Sequence, residues 1–141
     1  MLIYGTCNPE PVSHDQSIYV TGPDMQDLIQ QIDEAAVSGN HIPVKLEHKG
    51  IGIGRVISAW QNQQGEMQCI LEVDDKKTLE GSFAKEFLNQ GIVKDLSLGY
   101  DVTLEQSKTE KKTRVRRKLM REISMVKRGA RSKCHILSYK Y

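Results

Sequence analysis

The sequence predicts a mainly β domain with flanking helices (α+β), in which about seven strands form a closed or nearly closed antiparallel barrel and two or more helices pack outside it. Short runs rich in β-branched and aromatic residues recur along the chain, and turn residues separate them. Only two stretches space their apolar residues as a helix does. With 141 residues, the chain has the length of one ordinary domain, and we expect a single domain over residues 1–141.

The first 39 residues predict two strands and the clearest helix. "LIYGTC" and "SIYVT" are typical of short strands. In "GPDMQDLIQQIDEAAVSG", Pro23 suits a first helical turn and Gly39 can end the helix. The apolar residues of this segment form one stripe, which predicts a face packed on the core: Met25, Leu28, Ile29, Ile32 and Ala36.

The glycine-rich stretch "IPVKLEHKGIGIGRV", residues 42–56, resembles a phosphate-binding loop at first sight. Its glycines do not have the G-x-G-x-x-G spacing, and a β-branched run rather than a helix follows them. Before the glycines, Ile42, Val44, Leu46 and His48 alternate with polar residues and proline. We therefore predict a strand ending in an inward-facing His48, a sharp connection at the glycines, and a second strand at "RVISAW". A core histidine with one hydrogen bond is the alternative interpretation of His48.

The second half predicts further strands and one short helix. "MQCILEV" alternates as a strand, and "SFAKEFLNQG" is typical of a helix with Ser82 as N-cap and Gly91 at its end. "VKDLSLGYDVTL" predicts a strand whose polar side carries Ser97. "REISMV" and "KCHILSY" predict two more strands.

Positive charge is concentrated in one segment. Between Glu105 and Arg121 there are eight basic residues and two acidic ones. Such a segment can contact nucleic acid or an acidic protein. It contains no aromatic residue to stack on bases, so we expect a solvated or mobile loop and consider nucleic acid an unlikely partner.

The three cysteines, Cys7, Cys69 and Cys134, form no C-x-x-C pair. A disulfide framework is therefore unlikely, and a reducing compartment fits. No zinc-ligand spacing occurs, and we expect neither metal nor cofactor. We also expect no membrane association and no secretion, because the sequence has no signal peptide and no apolar run near the ~20 residues of a membrane helix.

Reactive side chains stand on three of the predicted strands. A serine hydroxyl needs a neighbouring base before it can attack a carbonyl, and the base needs a third group to orient it. His48 and Ser97 can form the first pair, and Glu122 or His135 can supply the third group. The turn "KRGAR", with Gly129 and Arg131, can direct donors at a developing oxyanion. The alternative is that Ser97 is an ordinary polar residue on a solvent-facing strand.

The order and context of these motifs resemble the assemblins, the capsid-maturation serine proteases of herpesviruses, and more distantly the prohead proteases of tailed phages. "LIYGTC" is similar to the family's opening strand, and "VKLEH" followed by "IGRV" to its histidine segment. Leu96-Ser97-Leu98-Gly99-Tyr100 resembles the nucleophile segment in its phage-like form. "REISMV" followed by Gly129-Ala130-Arg131 resembles the third-member strand and the oxyanion loop.

The resemblance implies a serine endopeptidase with Ser97 as nucleophile and His48 as base. It places Glu122 where herpesvirus members have a histidine, with His135 as the alternative third member, and it places the oxyanion loop at Gly129, Ala130 and Arg131. The implied substrates are a viral scaffold protein and the enzyme's own precursor, without a cofactor. A homodimer at the assembling capsid is implied, in the nucleus if herpesvirus-like and in the cytoplasm if phage-like. The competing interpretation is a non-catalytic β-barrel scaffold or nucleic-acid-binding module that uses residues 108–121.

Overall fold

The computed structural model describes residues 1–8, 18–20, 24–106, 113–129 and 134–141. Within these ranges the chain forms eight strands and two helices. In chain order they are β1 (Leu2–Thr6), β2 (Ile18–Val20), α1 (Asp24–Ser38), β3 (Pro43–Leu46), β4 (Lys49–Gln61), β5 (Met67–Val73), α2 (Leu79–Asn89), β6 (Asp95–Gln106), β7 (Thr113–Val126) and β8 (Ile136–Lys140).

All eight strands belong to one mixed sheet. Seven of them follow the order β2-β7-β3-β4-β5-β1-β8, and β6 pairs with β7. β2 and β3 run parallel to β7, and the other pairs are antiparallel. The prediction of a mainly β fold with two helices is therefore confirmed. The predicted antiparallel pairing holds for most of the strands, but β2 and β3 pair with β7 in parallel, and the strand ladders do not close the sheet into a barrel.

The core lies between the sheet and α1. β5 alternates buried and half-buried residues along its whole length. α1 packs against β4 and β7, and Leu28, Ile29 and Ile32 of its predicted apolar stripe are buried. Burying such a stripe is the main source of stability for a helix of this length. In the part of the chain that the structure describes, no helix is long and apolar enough to cross a membrane.

The second helix begins earlier than the sequence predicts. Thr78, not Ser82, is its N-cap, and the Thr78 side chain accepts a hydrogen bond of 2.9 Å from the backbone N–H of Gly81. Threonine and serine cap helices in the same way, so either residue could be the N-cap. Leu79, the first residue of the helix, is mostly exposed and therefore adds nothing to the apolar pattern that would locate the start. Ser82 lies inside α2.

The connection between β3 and β4 also differs from the prediction. β3 ends at Leu46, which pairs with Lys49, so Glu47 and His48 form a two-residue turn. Both turn residues have positive φ, 53° and 58°, as the tight hairpin turns that match the twist of the strands require. The predicted turn glycines instead lie within β4. A Cβ at Gly54 would lie 1.9 Å from the backbone oxygen of Glu72, so close strand approach explains that glycine.

The basic segment is largely a strand rather than a loop. β7 starts at Thr113, and residues 107–112 lie outside the described ranges. Arg117 donates two hydrogen bonds of 3.0 Å to Asp27 on α1. Lys118 is buried, and its amine lies over the ring of Tyr100. The expectation of a solvated or mobile loop is wrong here, because charge alone does not show which cations have partners on other elements.

Candidate active site

The site is built on two facing pairs of residues in neighbouring strands. In the antiparallel register of β6 and β7, Ser97 lies opposite Ser124 and Gly99 lies opposite Glu122. Residues two apart in a strand share a face of the sheet, so all four positions lie on the same face. Ser97, Ser124 and Glu122 are buried. A polar group of this kind within an otherwise apolar sheet needs hydrogen-bond partners to be stable.

The β3–β4 turn brings His48 onto this face. The backbone N–H of Glu47 donates to the carbonyl of Met125 at 3.0 Å, and the backbone N–H of His48 donates to Oγ of Ser124 at 3.0 Å. The Glu47 carboxylate accepts a third hydrogen bond from the N–H of Lys127 at 2.7 Å. Positive φ costs a non-glycine residue about 1–3 kcal/mol. These contacts with β7 hold the turn in that strained form.

The His48 ring lies between Ser97 and Glu122. Its Nε2 is 2.9 Å from Oγ of Ser97, within the range for proton transfer. Its Nδ1 forms a hydrogen bond with Oε1 of Glu122. A carboxylate can only accept, so Nδ1 carries the proton and Nε2 accepts from the Ser97 hydroxyl. The side chain of His48 is 41% exposed, so the ring is accessible to solvent, whereas Ser97 is buried.

Gly99 leaves the space that the Glu122 carboxylate occupies. A Cβ at position 99 would lie 2.0 Å from Oε1 and 2.6 Å from Cδ of Glu122. Sequence reasoning named Gly99 only as part of the segment around Ser97 and gave it no role of its own. A glycine inside a strand often marks a close approach of another group, and this was the available signal.

Ser124 completes the contacts of the carboxylate. Its hydroxyl donates to Oε2 of Glu122 at 2.6 Å. Sequence reasoning gave no role to Ser124 either. The signal was its spacing of two from Glu122 in a segment with strand character, which puts both side chains on one face.

His135, the alternative third member, has a different partner. Its Nδ1 bonds Oδ1 of Asp95 at 2.7 Å, and its side chain is 58% exposed. The two candidates for the third member are therefore separated by their contacts: Glu122 contacts the ring of His48, whereas His135 pairs with Asp95.

The predicted oxyanion loop is described only at its start. Ala130 and Arg131 lie outside the described residues. The backbone N–H of Gly129 donates to Oδ2 of Asp95 at 2.8 Å, so it already has an acceptor within the protein. The oxyanion role of this loop stays a prediction.

A cavity of about 260 Å³ adjoins the histidine. Its lining is mostly polar and charged, formed by Lys45, His48, Gly99, Tyr100, Asp101, Arg121 and Glu122. In the described residues, no group of three or more His, Cys, Asp or Glu side chains is arranged to hold a metal ion.

The three cysteines are not accessible at the surface. All three lie in the described part of the chain, are buried and form no disulfide. A hydrogen bond with Cys69, together with burial, raises the pKa of the Cys7 thiol well above its ordinary value. The thiolate is the reactive form of cysteine, so burial of this kind makes a thiol inert.

Comparisons of the chain with protein-family models, with curated proteins and with solved structures find no match. The function must therefore be argued from the site itself.

Proposed function

We propose that the chain is a serine endopeptidase of the capsid-maturation type. One observation carries the proposal: the His48 ring bonds Ser97 through Nε2 and Glu122 through Nδ1. The contact with Ser97 spans 49 positions of sequence, and the contact with Glu122 spans 74. They use the two ring nitrogens of His48: a general base takes the proton at one nitrogen and is oriented through the other. The same three side chains occur on unrelated folds with the same chemistry, so contacts and roles identify the site better than the fold does.

The proposed reaction has two stages. Oγ of Ser97 attacks the scissile carbonyl carbon while its proton passes to Nε2 of His48. Glu122 accepts the Nδ1 proton in a hydrogen bond and stabilises the imidazolium that forms. His48 then gives the proton to the leaving amine as the C–N bond breaks, which leaves an acyl-enzyme at Ser97. A water molecule, deprotonated by His48, hydrolyses the ester and releases the second product.

The developing oxyanion also needs donors in this mechanism. We assign them to the backbone around Ala130 and Arg131. Support for this assignment comes from the position of the loop in the chain: Asp95, two residues before Ser97, holds Gly129 by a hydrogen bond of 2.8 Å. The loop is thereby anchored to the strand that carries the nucleophile.

The assemblin-like order of motifs leads us to propose polypeptide substrates, namely a viral scaffold protein and the enzyme's own precursor. It also leads us to propose a homodimer acting at the assembling capsid, in the nucleus or the cytoplasm of the host.

A nearly closed barrel is part of the proposal. Support comes from an isolated bridge between Asp95 and His135, next to hydrogen bonds of 2.9 Å from Leu96 N–H to Cys134 O and from Ile136 N–H to Lys94 O. These bonds join the start of β6 to the residues that lead into β8.

The competing function is a non-catalytic module that binds nucleic acid through the basic segment. Among its described residues, Arg117 is paired with Asp27 and Arg121 with Asp101, and Lys118 is buried. These contacts reduce the charge available to phosphates, so the protease is the better-supported proposal.

Covalent labelling with a fluorophosphonate tests the proposal. Because this reagent reacts with activated serine hydroxyls, we expect it to modify Ser97 in the wild-type chain, as located by peptide mass spectrometry. Ser97→Ala should abolish labelling and His48→Ala should reduce it strongly, while Ser58→Ala on β4 should label as the wild type does. A folded wild-type chain that is not labelled, or that is labelled elsewhere, would contradict the proposal. Salt-dependent binding of nucleic acid by that unlabelled chain would favour the competing function.

A further inference from the structure

The hydroxyl of Ser124 connects the base to its carboxylate by a second route. It accepts a hydrogen bond of 3.0 Å from the backbone N–H of His48 and donates one of 2.6 Å to Oε2 of Glu122. Ser124 has no exposed surface. The proposed reaction uses His48 and Glu122 but leaves this buried hydroxyl without a role.

We propose that Ser124 is a positioning residue of the active site, which orients the Glu122 carboxylate and thereby sets the tautomer of His48. The proposal rests on the protease function proposed above. Ser124 acts through Glu122 and His48, and nothing in the structure requires it to touch the substrate.

The direction of the hydrogen bonds supports this role. A backbone N–H can only donate, so Oγ of Ser124 must accept from His48, and its own hydrogen is left for Glu122. With Ser124 donating to Oε2, the Glu122 carboxylate acts as an acceptor at that oxygen. Its other oxygen, Oε1, accepts from Nδ1 of His48. The chain of bonds therefore leaves Nε2 of His48 unprotonated and able to take the proton of Ser97.

The geometry of the carboxylate leads to the same role. A carboxylate held only through Oε1 can rotate about its Cγ–Cδ bond and carry that oxygen away from the ring. With Oε2 bonded to Ser124, both oxygens are held. A small misplacement of a catalytic group can reduce a rate by about 10²-fold, so this restraint has a measurable consequence.

The position of Ser124 in the sheet makes the restraint rigid. It lies in β7, opposite Ser97 of β6 on one side and beside Lys45 of β3 on the other. Sites supported by paired strands hold their side chains more accurately than sites on loops. Ser124 thus lies opposite Ser97 on the neighbouring strand and bonds both the carboxylate of Glu122 and the turn that carries His48.

The test compares Ser124→Ala, Ser124→Cys and the control Ser58→Ala in the full chain. The substrate is p-nitrophenyl acetate, and the release of nitrophenol gives kcat and KM separately. We expect Ser124→Ala to lower kcat by about 10- to 100-fold with little change in KM. Ser124→Cys, with a weak donor of similar volume, should fall between Ser124→Ala and the wild type. Ser58→Ala should match the wild type.

A spectroscopic measurement separates positioning from general loss of stability. Proton NMR of the wild type should show a strongly downfield resonance from the Nδ1 proton of His48, assigned by its loss in His48→Ala. In Ser124→Ala this resonance should shift upfield or broaden, since the carboxylate is no longer fixed. Circular dichroism establishes that each variant is folded. If Ser124→Ala does not fold, Ser124→Cys gives the decisive comparison.

The outcomes distinguish the two proposals. If the wild type is acylated at Ser97, and folded Ser124 variants keep both its rate and its resonance, the positioning role is wrong while the protease function stands. If the folded wild type is never acylated, the protease function fails, and the role of Ser124 in that reaction fails with it. Loss of rate in the Ser124 variants with an unchanged resonance also overturns the proposal, because the carboxylate would then still be in place.

Discussion

Gly99→Ala should abolish the proposed activity by displacing the Glu122 carboxylate, although it replaces none of the three proposed catalytic side chains. The added methyl carbon would lie 2.0 Å from Oε1 of Glu122 and 3.0 Å from its Cγ. The backbone of Gly99 does not have positive φ, so alanine can adopt its conformation. The effect of the substitution is therefore confined to the space beside the carboxylate.

The size of the effect follows from that distance. Ordinary contact between non-bonded heavy atoms is about 3.5 Å, so Oε1 of Glu122 must withdraw by about 1.5 Å. That movement breaks the hydrogen bond with Nδ1 of His48. Misplacing a catalytic group by ~1 Å costs about 10²-fold, and losing the function of the third member altogether costs about 10⁴-fold. We expect kcat/KM for p-nitrophenyl acetate to fall between these limits.

The assay includes a matched control. Gly52→Ala makes the same change in β4, where the new methyl would meet, among the described residues, the side chain of Pro43 at 3.3 Å and a carbonyl at 3.7 Å. This variant should keep wild-type activity, and both variants should fold as judged by circular dichroism. A folded Gly99→Ala chain with wild-type kcat/KM would refute the reasoning, because the carboxylate position would then not matter. Equal losses in both variants would refute it as well.

Two further predictions concern the third member and an ion pair. Glu122→Gln should lower the acylation rate by about 10³- to 10⁴-fold, whereas His135→Ala should leave it near that of the wild type; the reverse pattern would assign the role to His135. The hydrogen bond from Arg117 holds the pKa of Asp27 below its usual value. The pair therefore stabilises the fold above the ordinary aspartate pKa, and this contribution is lost as pH falls through the lowered value. In urea denaturation, Asp27→Asn should be less stable than the wild type at neutral pH and should approach it in acid; a gap independent of pH would contradict this.

The local elements of the fold could be predicted from the sequence because their signals are local. Alternation identified the strands around residues 67–73 and 95–104, and helical spacing identified α1. The residues of the candidate site could be proposed because the order and context of their motifs resemble the assemblins; taken alone, His48 and Ser97 could equally be a core histidine and an ordinary strand serine. Their contacts in the structure agree with that choice.

The β3–β4 turn could not be predicted because distant residues determine it. Locally, the glycines at positions 50, 52 and 54 are far better suited to a turn than Glu47 and His48. The structure places positive φ on the two bulky residues, where three hydrogen bonds with residues 124–127 hold them. Those bonds join positions 76–80 apart in sequence, which no window of local propensity includes.

The parallel direction of β2 and β3 relative to β7 could not be predicted for a related reason. β3 and β2 pair with β7 in parallel, and the period-two pattern of a strand is the same in parallel and antiparallel pairs. The parallel pairing with β3 matters for the site. It brings Lys45 beside Ser124 and delivers the turn after β3 to the face that carries Ser97. The parallel pairing of β3 with β7, which builds the site, could therefore not be predicted from the local patterns of those two strands.

The strained turn at Glu47 and His48 and the buried polar groups of β6 and β7 stabilise one another. A two-residue turn of asparagine and glycine would adopt positive φ at lower cost than Glu47 and His48, and apolar side chains would fill the face of β6 and β7 without desolvating a carboxylate. The turn residues and the buried polar residues are each locally unfavourable. The N–H of His48, the hydroxyl of Ser124 and the Glu122 carboxylate nevertheless satisfy one another by hydrogen bonds. Backbone strain at Glu47 and His48 next to the buried carboxylate of Glu122 is typical of a functional site. A core histidine satisfied by a single hydrogen bond would need neither the strained turn nor the space left by Gly99.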